Sequence, residues 1–292
     1  MREKLIYVYC VSHKEPNFKD SDLGNSHTKI FGVRVYPICH QDLYAVVSKV
    51  SEDEFTEENL KKNLSDMKWV ESNVLRHEEV IEEIMRDCTV IPFKFATIFK
   101  TEENVKALLE EHTEEFKKSL EGLEGKEEWG IKVYCNIDIL KTNLIKENEE
   151  IKRMEQDIKL SSAGKAYLLM KKRDGLIESI LNKKINEYGQ DIFEELNALS
   201  RDTRINKLLP KEVTEQKDEM ILNAAFLIDT CKIIVFIDTA IFLKEKYKDK
   251  GLNLNCTGPW PPYNFCSINP ISSGRDSNLF ETPKGVKKEK AI

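Results

Sequence analysis

Histidine, cysteine and carboxylate side chains carry most acid–base, nucleophilic and metal chemistry, and this 292-residue chain has all three. The histidines stand at 13, 27, 40, 77 and 112. A zinc-protease helix needs a second histidine four residues after the first. His77 is followed by Glu78 and Glu79, but position 81 is Ile81. His77 and His112 fall on apolar faces of helical repeats, where a packed, hydrogen-bonded imidazole is the expected role. Cys39 and His40 are adjacent, and strand neighbours point to opposite faces, so a thiolate–imidazole pair is not expected. The seven cysteines (10, 39, 88, 135, 231, 256 and 266) form no C-x-x-C pair, which removes zinc-ribbon and thioredoxin-like readings. Reduced, buried thiols are expected. No glycine-rich phosphate loop and no G-x-S-x-G elbow occurs. Most carboxylates fall at solvent positions of amphipathic helices. The sequence therefore nominates no catalytic, cofactor-binding or metal-ligating residue.

Two segments stand out instead. Thr257 to Phe265 reads TGPWPPYNF. Pro259, Pro261 and Pro262 fix φ and remove amide donors, so the preceding strand should stop and the chain should run on in an extended, polyproline-like form. Trp260, Tyr263 and Phe265 offer flat apolar faces. The segment is either a rigid strap packing its aromatics inward or a recognition surface for an apolar partner, and the two readings are compatible. Ile91 to Phe99, IPFKFATIF, alternates Phe93, Phe95 and Thr97 with Lys94 and Ala96, the pattern of a core strand. Pro92 within it asks for an edge or irregular position.

The elements that must position these segments follow from periodicity. Leu5–Val11, Ile30–Val35, Leu43–Val50, Thr89–Phe99 and Trp129–Ile139 read as strands. His13–Thr28 reads as a loop. Ser51 with Glu54 has capping-box spacing. Ser65 or Asp66 starts a longer helix with the stripe Val70, Val74, His77, Ile81 and Ile84, and Glu102–Leu120 is a second amphipathic helix. Residues 1–140 then form an α+β domain, a mostly antiparallel sheet with helices on one side. Lys141–Lys159 reads as a charged linker running into an exposed helix. A long helix over Lys165–Tyr188, extended by Asp191–Ser200, precedes strands at Thr203–Leu209, Met220–Ile228 and Gly251–Cys256. Lys211–Lys217 is a loop, and Lys232–Lys248 is a helix. Residues 141–270 thus form a second domain, a ferredoxin-like element with a long helical extension. Residues 271–292 read as a disordered, lysine-ending tail.

Composition bounds the function. Hydrophobic residues at 40% and charged residues at 33% support real cores and exclude global disorder. The net charge of −6 argues against general nucleic-acid binding. MREKLIYVYC lacks the apolar core of a secretory signal. Met220–Leu243 is interrupted by Asp229, Lys232 and Asp238, which removes a membrane span. Two other classes remain as alternatives: an enzyme with an interdomain cleft, and an RNA-binding ferredoxin-like module.

Several separated pieces together resemble the gas vesicle protein F/L family. TGPWPPYNF (Pro259, Trp260, Pro261, Pro262, Tyr263, Phe265) resembles its proline-rich aromatic signature. W-V-E-S-N-V-L-R-H-E-E-V, with Trp69 and His77, resembles its helix with a spaced Trp and His. V-I-P-F-K-F-A-T-I-F, with Pro92, Lys94, Phe95 and Thr97, resembles its apolar-Pro strand. GKAYLLMK, with Tyr167, resembles a helix start, and MILNAAFLID its penultimate strand. The pattern departs at Lys94, where the family often has Arg, and at Asn264, where it often has Ser. Lys94 keeps the charge without the forked geometry. The resemblance implies a two-domain α+β protein with no cofactor and no enzymatic activity. It implies an accessory or minor structural component of gas vesicles, acting in the cytoplasm during vesicle nucleation. Its partners would be the major, strongly apolar shell protein and other vesicle accessory proteins, met by helix-in-groove or β-addition contacts.

Overall fold

The computed structural model describes residues 4–16, 35–214 and 216–266. Most of the Ile30–Val35 strand, much of the first loop and the proposed tail lie outside them. Contacts divide the chain into two units: the first runs to Glu128 and resumes at Pro259, and the second is Trp129–Gly258. The division thus differs from a break at residue 140. The strand expected to close the first domain instead enters the sheet of the second.

In the first unit, β1 (Lys4–Ser12), β2 (Val35–His40), β3 (Leu43–Ser51), β4 (Val90–Pro92) and β5 (Ile98–Phe99) form one sheet in the order β2-β3-β1-β4, with β5 also on β1. β1 pairs antiparallel with β3, β4 and β5, and β2 pairs antiparallel with β3. β1 is central and buried from Ile6 to Ser12, which is why it reads as an unbroken apolar run. Its register slips between Val8 and Cys10, leaving Tyr9 as the extra residue of a bulge. Pro92 sits on the edge strand, where its missing N–H is tolerated.

The expected single strand over residues 89–99 is broken. Between β4 and β5 the chain turns through Ala96 at φ +63°, and Thr97 donates N–H and Oγ–H to the Lys94 carbonyl at 3.2 and 2.7 Å. Helices α1 (Glu52–Phe55), α2 (Glu57–Asn63) and α3 (Met67–Met85) separate β3 from β4. Ser51 caps α1 by accepting from the Asp53 amide rather than from that of Glu54, and Asp66 caps α3. The expected helix over 102–120 is two, α4 (Glu102–Glu111) and α5 (Thr113–Leu123), parted where His112 leaves helical geometry.

In the second unit, β6 (Lys126–Cys135) ends at Asn136, which caps α6 (Ile137–Glu147) through the Ile139 amide. The strand expected to reach Ile139 is therefore shorter. The expected linker is helical: α6 and α7 (Glu149–Leu160) bury Leu140, Leu144, Ile151 and Met154. Four apolar residues on repeating faces outweigh the surrounding charge. Next comes α8, one 35-residue helix (Ala163–Asn197) that continues through Gly189. A Cβ at Gly189 would stand 3.6 Å from the Ile221 carbonyl oxygen, an ordinary contact, so the helix runs close to the sheet there.

The remaining elements are β7 (Asp202–Ile205), α9 (Lys211–Thr214), β8 (Glu219–Asp229), α10 (Ile233–Lys248) and β9 (Leu252–Trp260). The short α9 lies in the segment expected to be a loop. The sheet order β7-β8-β6-β9 places strands second-third-first-fourth, with helices after the first and third. This is the ferredoxin-like arrangement, with β6 as its first strand. The first sheet has the same relative order. The core of the second unit gathers Trp129, Ile131, Phe226, Phe236 and Leu243, among others.

Contrary to expectation, β9 continues through Pro259 to Trp260. It is an edge strand, with a ladder on one side only, and such a strand accommodates proline. Before it, Gly251 has φ +88°, and an added Cβ would lie 3.1 Å from both the Asn136 oxygen and Ile139. The Gly251 carbonyl accepts the Asn136 N–H at 2.8 Å. Gly251→Ala should therefore lower stability by about 1–2 kcal/mol in urea denaturation. An unchanged midpoint would contradict the strain at this turn.

Candidate functional site

The site grows from β1. Alternation along the strand sets Tyr7 and Tyr9 side by side, their rings 4.7 Å apart. Both are buried, so each hydroxyl needs a partner. Tyr9 pairs with Ser48 Oγ at 2.9 Å. Tyr7 meets Nδ1 of His77, delivered by the apolar stripe of α3, at 2.9 Å. The other ring nitrogen, Nε2, lies 3.1 Å from the Phe93 carbonyl oxygen. A carbonyl only accepts, so Nε2 carries the hydrogen and Nδ1 accepts from the Tyr7 hydroxyl. The Tyr7 oxygen in turn accepts the Ala96 N–H at 2.9 Å, which accounts for the left-handed Ala96. Burial lowers the His77 pKa to about 4, so the imidazole is neutral.

The C-terminal strap closes over this network. Pro261 and Pro262 are buried and set a turn in which the Tyr263 amide donates to the Pro261 carbonyl at 2.7 Å. Tyr263 Oη lies 3.3 Å from His77 Nε2 and donates to Glu78 Oε1 at 2.9 Å. Asn264 donates through its amide and its Nδ2 to the two oxygens of Glu128, at 3.0 and 2.6 Å. Burial raises both carboxyls to about 7, against the hydrogen bonds from Tyr263 and Asn264, which lower them. Cys266 Sγ donates to the Pro262 carbonyl at 2.9 Å.

Around His77 stand the partly exposed Phe95 and Trp69 and the buried Phe55. Phe95 is 5.9 Å from His77 and 6.2 Å from Trp69, ring to ring, and Trp69 is 5.8 Å from Phe55. Trp69, Phe95 and Tyr263 pack on the core of the first unit while staying partly exposed. The structure thus brings together Trp69 and His77 of α3, Phe95 and Tyr263 from three separated stretches of chain. Pro92 is buried beside them in β4, Thr97 holds the turn, and Lys94 points to solvent. Pro259 is exposed, and Trp260 and Phe265 are partly exposed. Tyr167 lies apart in α8, with Lys171 Nζ 5.2 Å from its ring centroid.

Tyr7, Glu78 and Glu128 were not singled out by the sequence, and Asn264 stood out only as a departure from the family pattern. Tyr7 and Tyr9 in an otherwise aliphatic strand were the available signal, since a buried hydroxyl implies a polar partner. Glu78 and Glu128 look like ordinary surface charges. His112 differs from expectation: it is partly exposed and pairs with Glu115 at 3.1 Å. Cys39 and Cys231 are exposed rather than buried, and all seven cysteines are unbridged.

Away from this cluster, a concavity of about 710 Å³ is lined by Lys4, Lys49, Lys100, Glu102 and neighbours. There Lys49 already pairs with Glu102 at 2.9 Å. Among the described residues no cluster of three or more His, Cys, Asp or Glu is arranged to hold a metal. Among them, too, no helix is long and apolar enough to cross a membrane.

Residues 5–267 match the family described as Gas vesicle synthesis protein GvpL/GvpF. The chain is 26% identical over 271 residues to gas vesicle protein L of Streptomyces sp. (strain CB03234), covering 91% of this chain and 94% of that one. It is likewise 26% identical over 267 residues to gas vesicle protein F1 of Halobacterium salinarum, covering 90% and 93%. The fold is similar to the crystal structure of GvpF from Anabaena sp. PCC7120, with a TM-score of 0.66 at 19% identity over 91% of this chain and 99% of that one. GvpF from Microcystis aeruginosa gives 0.65 at 18% identity, covering 90% and 99%. The family match spans both structural units and every motif at the His77 cluster, and the chain accordingly belongs to the GvpL/GvpF family of gas vesicle proteins.

Proposed function

We propose that this protein binds the apolar shell protein of the gas vesicle, together with other vesicle accessory proteins, in the cytoplasm while the vesicle nucleates. In this reading it handles a building block and makes or breaks no bonds. The observation that carries it is the partly exposed aromatic rim of Trp69, Phe95 and Tyr263, stiffened from beneath by the Tyr7–His77–Tyr263–Glu78 hydrogen bonds. Aromatics that are held rigidly lose little entropy on binding an apolar surface. Lys94, exposed beside Phe95, adds a charge that can orient a client. Acid–base work at His77 is disfavoured, because both ring nitrogens are engaged and burial keeps the ring neutral.

Co-expression of the tagged chain with the shell protein tests the proposal. Affinity capture should recover the shell protein with the wild type. Recovery of neither shell protein nor any other vesicle component would contradict it.

A further inference from the structure

The strap over residues 261–266 is held in two ways. Within it, the Tyr263 and Phe265 amides donate to the carbonyls of Pro261 and Pro262, at 2.7 and 3.2 Å, and the Cys266 thiol donates to that of Pro262. Outward, two adjacent residues reach two different carboxylates. Tyr263 Oη donates to Glu78 Oε1 of α3 at 2.9 Å, and Asn264 donates to both oxygens of Glu128, at 3.0 and 2.6 Å. Glu128 is 4% exposed, and Glu78 is partly buried. Among the described residues no lysine or arginine faces either carboxyl. The polar grip on the strap therefore ends on two acids that no cation neutralises.

Both contacts survive protonation of the acids. Glu78 keeps an oxygen that accepts the Tyr263 hydroxyl hydrogen while the acid proton sits on the other. At Glu128 one oxygen still accepts the Asn264 N–H. With the Asn264 amide turned over, the acid O–H donates to Oδ1, and 2.6 Å suits an O–H···O bond better than an N–H···O bond. Ionisation instead confines a negative charge under the strap with no counter-ion. The surroundings do not relieve it. On α3, Glu82 stands one turn beyond Glu78 and repels its charge. Tyr7 and Cys10 of β1 and Cys266 of the strap face this place too, and burial holds all three neutral. His77, near 4, is neutral as well. Burial has moved Glu78 and Glu128 to about 7 each.

We propose that Glu78 and Glu128 act as a two-proton latch: the strap closes with both acids protonated, and their ionisation lets residues 261–266 lift while the rest of the first unit stays folded. Lifting hydrates both carboxylates in one motion. The segment lies past the end of β9 at Trp260, so its release breaks no sheet ladder and costs far less than global unfolding. Closed, each acid holds its proton up to about pH 7; lifted and hydrated, it ionises near 4.5. Closing therefore takes up as many as two protons. Opening grows easier as pH rises from about 4.5 to about 7 and levels off above that. Each acid contributes about a hundredfold to the opening constant over this range. This inference does not depend on shell-protein binding.

Amide hydrogen exchange of the full chain from about pH 5 to about pH 8 tests the proposal, expressed as protection factors so that the chemical pH dependence of exchange is removed. The amides of residues 263–266 should lose at least about a hundredfold in protection across this range, and should exchange faster than those of the buried β1 throughout. Asn264, whose amide donates to Glu128, is the direct reporter. Glu78→Gln and Glu128→Gln should each remove about half of the pH dependence on a logarithmic scale. The double variant should remove nearly all of it, leaving protection at pH 8 close to that of the wild type at pH 5. Wild-type strap protection that changes by less than about tenfold overturns the proposal, whatever the variants do. So does strap exchange that keeps step with β1, which would mean that the strap opens only when the whole unit unfolds. A folded double variant that retains the wild-type pH dependence overturns it too.

Discussion

Replacing His77 with alanine is expected to lower the free energy of unfolding by about 3–5 kcal/mol at pH 7. The ring is fully buried and touches Tyr7, Phe93 and Tyr263. Its removal leaves a cavity and strands the Phe93 carbonyl, and each is costly. The effect should also depend on pH. Burial holds the folded pKa near 4, against 6.5 when exposed. The folded state thus binds this proton less tightly than the unfolded state. The stability tied to His77 is complete above about pH 6.5 and drains away as pH falls towards 4, by on the order of 3 kcal/mol. The gap between wild type and His77→Ala should therefore narrow on acidification. Urea denaturation at pH 7 and pH 4.5 measures both quantities. A loss below about 1 kcal/mol at pH 7, or a gap that widens in acid, would show that His77 is not the centre of the core described above.

Glu78→Gln should act with the opposite pH dependence. Burial raises the Glu78 carboxyl from 4.5 to about 7, so the folded state holds this proton more tightly. The associated stability is fully present below about pH 4.5 and is lost as pH rises through 7, on the order of 3 kcal/mol. Glutamine keeps an oxygen to accept the Tyr263 hydroxyl hydrogen and never ionises. The variant should match the wild type near pH 4.5 and exceed it by about 2–3 kcal/mol at pH 8.5. Glu128 is raised as well, but it is present in both proteins, so the difference isolates Glu78. Equal midpoints at pH 8.5 would mean that Glu78 is solvated rather than pressed under the strap.

How much of this was legible in the sequence depended on whether a signal was local. β1, α3 and α10 announce themselves through long apolar runs or stripes, and the helix–strand alternation after Leu140 was enough to indicate a ferredoxin-like element, although its first strand, β6, was read into the first domain. Interruptions were harder to see. The turn at Ala96 exists because Tyr7, 89 residues away, offers an oxygen to its amide, and no pattern within IPFKFATIF reports that. The charge of residues 141–159 hid α6 and α7, since only four apolar positions there are buried. Pro259 looked like a strand terminator because edge position is a property of the assembled sheet. Trp69, His77, Phe95 and Tyr263 were each legible as motif positions, but their meeting was not. The carboxylates that fasten the strap were indistinguishable from surface charge until burial singled them out.

The proposed role stands most directly on contact between the aromatic rim and the shell protein. A photo-crosslinking amino acid in place of Phe95, irradiated during co-expression with the shell protein, should give an adduct that contains shell protein, and the same probe at the distant Tyr167 should give little. Shell adducts absent at Phe95, in a protein that melts like the wild type, would contradict the account.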